Sequence, residues 1–142
     1  MRLLTGILFL LAPVLADRAA SSQSFPTKPI RLVLGTMPGG GVDTVGRILA
    51  QRVSENIGQQ VIVDNRGGAN GIVGMEIVSR AAPDGYTIYM GTTGHISVNP
   101  SLYPKLPFDT DRDFAPLTQV VSVPFLIYAH PSFPVKTLDE LI

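Results

Sequence analysis

The chain has 142 residues, of which 45% are hydrophobic and 15% are charged, which is the composition of an ordinary folded domain. Its 11 basic residues balance its 11 acidic residues, and this balance argues against binding to nucleic acid or to an anionic membrane surface. Because the sequence contains no cysteine, it excludes disulfides, thiolate metal sites and a cysteine for lipid attachment.

The N-terminus has the pattern of a secretory signal peptide. Residues 1–16 combine Arg2, a short apolar run and small residues that end at Ala16. The run is shorter than the roughly 20 residues that a membrane-spanning helix needs. We therefore expect cleavage after Ala16 and export of a soluble periplasmic protein, with residues 17–29 leading into the first strand. The alternatives are a buried N-terminal strand and an uncleaved anchor.

A strand is predicted over residues 30–34, where β-branched and other apolar residues dominate. The glycine-rich loop 38–41 follows, and a helix is then predicted from Val42 until Gly58, which supplies a left-handed stop. The apolar face of this helix is predicted to contain Val45, Ile48, Leu49, Val53 and Ile57.

A glycine loop that opens a helix predicts an anion site, because the first N–H groups of a helix are unpaired and carry partial positive charge. The lysine of a phosphate-binding loop and the G-x-G-x-x-G of a dinucleotide fold are both absent. Asp43, just inside the helix, disfavours a highly charged phosphate, so a small carboxylate is the favoured ligand. The alternative is a plain strand-to-helix connection in which Asp43 stabilises the helix dipole.

The order of strand, small-residue loop and helix recurs along the chain. Residues 61–63 predict a second strand, the glycine-rich loop 64–71 follows it, and a second helix follows that loop. Residues 86–90 predict a third strand, which ends in the loop 91–95. Alternating strands and helices imply a parallel sheet with right-handed crossovers, so the three loops should share one edge, where ligands of open α/β sheets bind.

The pattern changes after residue 100. Residues 115–121 and 124–129 predict two further strands, and Thr137 with Glu140 has the spacing of a capping box. Since this helix is barely begun at Ile142, we interpret the chain as truncated. We assign a first α/β lobe to residues 30–121 and the start of a crossover into a mostly missing second lobe to residues 122–142.

Six motifs, in this order, resemble the Bug (TctC-like) substrate-binding proteins of tripartite tricarboxylate transport systems. They are FPTKPI at 25–30, PGGGVD at 38–43, VIVDNR at 61–66, APDGYT at 82–87, NPSLY at 99–103 and DFAP at 113–116. The resemblance covers nearly everything after the predicted signal peptide. It implies a periplasmic-binding-protein-like lobe with a mainly parallel sheet flanked by helices, which a second lobe closes over a small carboxylate.

The resemblance also implies which residues bind the ligand. Residues 38–44 resemble the family's carboxylate cradle, residues 92–95 resemble the segment that reaches the ligand from the neighbouring strand, and the second loop lines the third side. The complete candidate set is Pro38, Gly39, Gly40, Gly41, Asp43, Thr44, Asn65, Gly68, Thr92, Thr93, Gly94 and His95. Hydroxyl groups in the third loop could donate to a carboxylate oxygen.

Three positions depart from the family pattern. Thr36 and Met37 stand where an aromatic residue and a small residue or proline are frequent, so the apolar wall of the site should differ. Gly67 stands where proline is usual, which makes the second loop more flexible. The resemblance further implies membrane permease subunits as partners, a monomeric state and no cofactor.

No catalytic or metal-binding arrangement emerges from the sequence. His95 and His130 are the only histidines, and neither a G-x-S-x-G nor an H-E-x-x-H motif is present. The alternating residues Asp109, Asp111 and Asp113 lack the glycine and glutamate of an EF-hand and are interpreted as a solvated turn. Two other hypotheses remain open, an exported α/β enzyme whose catalytic part is missing and a fragment without binding activity. Continuation of the reading frame past Ile142 would distinguish between them.

Overall fold

A computed structural model describes residues 25–135 and 137–142. The predicted signal peptide, residues 1–16, lies outside the described residues, as does most of the segment 17–29. In the part of the chain that is described, no helix combines the length and the apolar character needed to cross a membrane.

Three parallel strands form the centre of the fold. They are β1 (Ile30–Leu34), β2 (Val61–Asn65) and β3 (Thr87–Met90), in the order β2-β1-β3. Ile30 lies beside Val61, and Leu34 lies beside both Asn65 and Met90. The three strands therefore end at the same level, as the sequence predicts.

Helices occupy both crossover connections of the sheet. α1 (Gly41–Ile57) joins β1 to β2, and α2 (Ile72–Ser79) joins β2 to β3 after the short 3₁₀ turn Ala69–Gly71. Because β2 and β3 lie on opposite sides of β1, right-handed crossovers place α1 and α2 on opposite faces of the sheet. The predicted α/β architecture, a parallel sheet flanked by helices, is confirmed.

α1 begins and ends at glycines. Its N-cap is Gly40, and its C-cap Gly58 has the left-handed φ of 68° and donates its N–H to the Ser54 carbonyl. The predicted end of this helix is confirmed, and its start lies one residue before the predicted Val42. The predicted apolar face is wrong at one position, since Ile48 is 59% exposed.

The core lies between β1 and the two helices. Leu32, Val33 and Leu34 are almost completely buried, and Leu32 and Leu34 belong to a core cluster that includes Ala50 of α1 and Val61 of β2. Met75 of α2 is also buried, at 1% exposure. Gly46 of α1 allows this close packing, because a methyl carbon on it would lie 2.9 Å from Leu34 Cδ1. Among the described residues, the strand that leads into the first glycine loop is thus deeply buried.

Short helices follow β3. They are the π-helical turn Gly94–Val98, α3 (Asn99–Leu102) and α4 (Thr110–Asp113), and the last described segment contains α5 (Leu138–Leu141). Thr137 caps α5 by accepting a hydrogen bond from the Glu140 N–H, which confirms the predicted helix start.

The two strands predicted at 115–121 and 124–129 are wrong. Both segments are irregular, and their side chains are exposed, with Phe125 at 99% and Ile127 at 79%. A strand needs a neighbouring backbone to accept and donate its ladder hydrogen bonds. Among the described residues these segments have no such partner.

Candidate functional site

The aligned ends of the three strands bring the three small-residue loops to one edge of the sheet. Gly35 follows β1, Arg66 follows β2 and Gly91 follows β3, and the Arg66 N–H donates to the Leu34 carbonyl at 2.8 Å. The order β2-β1-β3 places a switch in connection direction at β1, which is where open α/β sheets bind ligands. The predicted convergence of the loops is present in the structure.

The first loop presents the N-terminus of α1 to solvent. Gly39 has a φ of 89°, which glycine adopts without strain, and Gly40 is the N-cap in an extended conformation. Pro38, Gly39, Gly40 and Gly41 are all exposed. No side chain caps this helix among the described residues, and the first intrahelical bond is the one from the Thr44 N–H to the Gly40 carbonyl. The N–H groups of Gly41, Val42 and Asp43 therefore have no intrahelical partner, which is the general arrangement of an anion site at a helix N-terminus.

Asp43 is turned underneath this loop, where it is 5% exposed. Its Oδ2 accepts hydrogen bonds from the Gly39 N–H at 2.9 Å and Arg47 Nε at 3.1 Å, and its Oδ1 accepts one from Asn65 Nδ2 at 3.0 Å. The bonds from Arg47 and Gly39 lower the pKa of the Asp43 carboxyl to about 2. The side chain therefore fixes the shape of the loop and leaves the helix N–H groups uncovered.

Arg47 balances the negative charge of Asp43, which the sequence alone did not indicate. Its guanidinium pairs with both carboxylate oxygens of Asp43, so the negative charge that disfavours phosphate is balanced within the site. Repulsion by Asp43 therefore does not support the predicted preference for a carboxylate over a phosphate.

Asn65 connects the end of β2 to the first loop. Its Nδ2 donates to the Thr36 carbonyl at 3.3 Å as well as to Asp43, and its Oδ1 accepts from Arg47 Nη2 at 3.2 Å. The structure therefore brings Asn65, Asp43 and the glycines of the first loop together, as predicted from the sequence.

The second loop is shaped by residues with left-handed backbone. Gly68 has a φ of 126° and is exposed, and Asn70 has a φ of 50°. Asn70 Nδ2 donates to Asn99 Oδ1 at 2.6 Å, and Asn99 Nδ2 donates back to the Asn70 carbonyl at 2.9 Å. This reciprocal pair ties the second loop to α3.

The sequence includes Asn70 only as part of the second loop and does not identify Asn99 as a site residue. Asn99 is completely buried, which a polar residue tolerates only when its hydrogen bonds are satisfied. An asparagine directly before a glycine, as at position 70, is a signal for left-handed backbone that could have indicated the role of Asn70.

The third loop holds its residues at different depths. The Thr92 carbonyl accepts the His95 N–H at 3.0 Å, Thr93 is exposed and Gly94 is partly exposed. His95 is 4% exposed, and its Nδ1 lies 2.8 Å from Tyr89 Oη. Burial lowers the pKa of His95 and raises that of Tyr89. Thr93 thus lies on the open side of the loop, whereas the His95 ring lies beneath it.

The acidic residues near position 110 are engaged with one another and with their own backbone. Asp109 Oδ1 accepts the N–H groups of Asp111 and Arg112 at 3.0 Å, and Asp113 forms an ion pair with Arg112. Asp109 is thus the N-cap of α4. The described residues include no group of three or more side chains that could hold a metal ion.

Curated relatives match almost the whole chain. It is 37% identical over 141 residues to the UPF0065 protein of the tcbD-tcbE intergenic region of Pseudomonas sp. strain P51, covering 99% of this chain and 41% of that protein. It is 32% identical over 142 residues to the protein BugT of Bordetella pertussis, covering 99% of this chain and 44% of BugT. The chain therefore spans less than half the length of these relatives.

Solved structures have the same fold. Rpa4515 of R. palustris, determined with adipate, superposes with a TM-score of 0.73 at 34% identity, over 82% of this chain and 39% of that one. MatC of Rhodopseudomonas palustris, determined with bound malate, gives a TM-score of 0.62 at 35% identity, over 65% of this chain and 31% of that one. The family described as the tripartite tricarboxylate transporter family receptor, TctC, matches residues 45–142. The chain belongs to this TctC family of receptors.

Proposed function

We propose that this chain forms the first lobe of a periplasmic solute-binding protein, which captures a small dicarboxylate or tricarboxylate for a tripartite tricarboxylate-type transporter. The main support is the uncapped, exposed N-terminus of α1 at the edge where all three loops meet. The ligands named for the similar proteins Rpa4515 and MatC, adipate and malate, are both small dicarboxylates.

In this proposal one carboxylate of the ligand accepts hydrogen bonds from the N–H groups at the start of α1. Backbone donors at a helix N-terminus suit a singly charged carboxylate, which needs few donors and benefits from the helix dipole. The hydroxyl groups of the third loop donate to the same ligand, and the second loop closes one side. The proposed contact residues are Pro38, Gly39, Gly40, Gly41, Thr44, Asn65, Gly68, Thr92, Thr93 and Gly94. Asp43 contributes by holding the first loop in place.

We propose the remaining features on the same basis. Residues 1–16 direct export, residues 30–121 form the first lobe, and residues 122–142 begin the crossover into the second. The partners are the membrane permease subunits of the transporter, the protein acts as a monomer, and it performs no catalysis. Support for these features comes from membership in a receptor family.

Calorimetric titration with adipate, malate and citrate tests the proposal, with the uncharged analogue adipamide as the matched control ligand. We expect the acids to bind and adipamide not to bind, because only a carboxylate gains from the N–H cluster and the helix dipole. Equal heats for adipate and adipamide, or no heat for any acid, would contradict the proposed function.

A substitution at Gly40 should abolish ligand binding without affecting folding. Gly40 has a φ of −83°, and a methyl carbon on it would approach no neighbour more closely than 4.0 Å, so valine is compatible with the fold. The valine side chain would nevertheless occupy the approach to the N–H groups. We expect Gly40→Val to abolish acid binding with stability retained, and Asn56→Val, at an exposed position near the other end of α1, to leave binding unchanged.

A further inference from the structure

The ring of His95 lies in a socket made by three glycines, one from each loop. A methyl carbon placed on Gly35 would lie 2.9 Å from the ring, one on Gly71 would lie 2.6 Å from it, and one on Gly91 would lie 3.1 Å from it. Contacts below 3.0 Å do not occur between a Cβ and a neighbouring atom, and 3.1 Å is unusually tight. The three backbones can therefore approach the imidazole only because they carry no side chains.

Tyr89 fixes the orientation of this ring. Its Oη lies 2.8 Å from His95 Nδ1 and 3.3 Å from the Gly71 carbonyl oxygen, so one hydroxyl connects β3, the third loop and the second loop. Either tautomer of the imidazole satisfies the short contact, since a tyrosine hydroxyl both donates and accepts. The ring is thus held by packing on three sides and by a hydrogen bond on one nitrogen.

We propose that His95 is a positioning residue, which sets the spacing of the three loops and leaves ligand contacts to other groups. The ring fills the space beneath the loops and lies against Gly35, Gly71 and Gly91 together. Tyr89, its hydrogen-bond partner, also lies against Gly35 and Gly91 and bonds to the Gly71 carbonyl. The part of this inference that concerns ligand affinity rests on the proposed function. The part that concerns loop spacing stands without it.

The groups around the His95 ring also determine which of its two charge states is favoured. The groups placed against the ring are the three glycine backbones, Thr92 and Tyr89, of which Tyr89 alone titrates. None of them is a carboxylate that could balance an imidazolium, and burial lowers the pKa of His95. The ordered loops therefore require the neutral ring. They should loosen as pH falls below about 6.5, the ordinary value for histidine.

Amide hydrogen exchange of the ligand-free chain tests the positioning role. For His95→Ala we expect exchange at residues 39–41, 68–71 and 92–94 to rise together by at least about tenfold, because the loops lose a common support. His95→Asn keeps a hydrogen-bonding group near the position of Nδ1 and should restore part of the protection. His130→Ala is the matched control, since His130 is exposed and its ring bonds to the nearby Ser132. An increase confined to residues 92–94 would overturn the proposal.

The pH profile provides a readout that loss of packing alone would not change. Between pH 7 and pH 5 the wild type and His130→Ala should lose loop protection, whereas the loop protection of His95→Asn should be flat over this range. Adipate is itself protonated near pH 5, so its affinity should fall for every variant, but less steeply for His95→Asn than for the wild type. A sloping protection profile for His95→Asn would overturn the requirement for a neutral ring. If adipate binds to no variant, the wild type included, the proposed function fails while the exchange data still decide the positioning role.

Tyr89→Phe provides a second test should His95→Ala fail to fold. It removes only the hydroxyl group, so the core remains filled and the ring of His95 keeps only the longer hydrogen bond that Nδ1 accepts from the Thr92 N–H at 3.5 Å. We expect exchange to increase at Gly71 and in the third loop, with Tyr128→Phe as the exposed control at 83% exposure. Wild-type exchange at both places in Tyr89→Phe would contradict the proposal.

Discussion

Two segments of similar apolar character differ completely in burial: one is enclosed in the core and the other is exposed to solvent. β1 (Ile30–Leu34) is buried between two neighbouring strands and two helices, whereas residues 123–129, with the sequence VPFLIYA, are exposed along their length. The two differ in their surroundings, because β1 has a hydrogen-bonded neighbour on each side and residues 123–129 have none in the described part of the chain. An apolar run therefore indicates a potential strand, and only a partner makes it one.

Alanine substitutions in the two segments should give the largest contrast. Leu34 is fully buried, so Leu34→Ala should lower the free energy of unfolding by about 3 kcal/mol through lost contacts and a residual cavity. Phe125 is 99% exposed, and Phe125→Ala should change it by less than about 0.5 kcal/mol. Urea unfolding followed by circular dichroism measures both. Equal losses would mean that residues 123–129 are packed in solution and that the comparison does not hold.

A second lobe that covers residues 123–129 should also increase the affinity for adipate. We expect a fusion of this chain to the remaining part of Rpa4515 to bind adipate at least about a hundredfold more tightly, roughly 2.7 kcal/mol, because two lobes enclose a ligand that one leaves half exposed. The amides of residues 115–135 should become protected from exchange at the same time. The same fusion carrying Gly40→Val is the control and should not bind. Equal affinity of the chain and the fusion would contradict the two-lobe proposal.

Alanine substitutions at two glycines of α1 test how closely this helix packs on β1. A methyl carbon on Gly46 would lie 2.9 Å from Leu34 Cδ1, so Gly46→Ala should cost about 1–3 kcal/mol by overpacking. Gly41 has nothing within 4 Å, so Gly41→Ala should change stability by less than about 0.5 kcal/mol. Thermal unfolding of both variants compares them directly. A harmless Gly46→Ala would show that α1 does not pack closely on β1.

Acid titration should give the smallest effect, located at the first loop. The folded pKa of Asp43 is about 2, below its ordinary value of 3.8, so its contribution to stability is complete above pH 4 and is lost as pH falls toward 2. Asp43→Asn should therefore lose less stability than the wild type over this range. Asp139→Asn, in the exposed α5, should follow the wild-type profile. Identical profiles for Asp43→Asn and the wild type would exclude the proposed role of Asp43 in the loop.

Local sequence signals were sufficient to predict the parallel sheet and the helix ends. Gly58 as a left-handed helix end and Thr137 as a helix cap depend on neighbours within a few residues, and both predictions are confirmed. The parallel sheet followed from the repeated order of strand, loop and helix. Alignment of the strand ends then followed from the topology, without knowledge of any side-chain contact.

The predictions that were wrong concern features that depend on contacts with other parts of the fold. The exposure of Ile48 and the unpaired segments 115–121 and 124–129 are decided by what lies beside them, which periodicity does not specify. The sequence also indicated Asp43 as a site residue, but not that Arg47 and Asn65 would hold its carboxylate under the loop. Such interactions join residues up to 22 positions apart.

The proposed carboxylate site is tested most directly by a ¹H–¹⁵N correlation spectrum recorded during titration with adipate. We expect the largest shift changes at the amides of residues 40–44, with smaller ones at 92–94 and none at 123–129. Adipamide should produce no changes in this set. Changes centred on residues 123–129, or scattered without preference for the start of α1, would contradict a carboxylate site at the helix N-terminus.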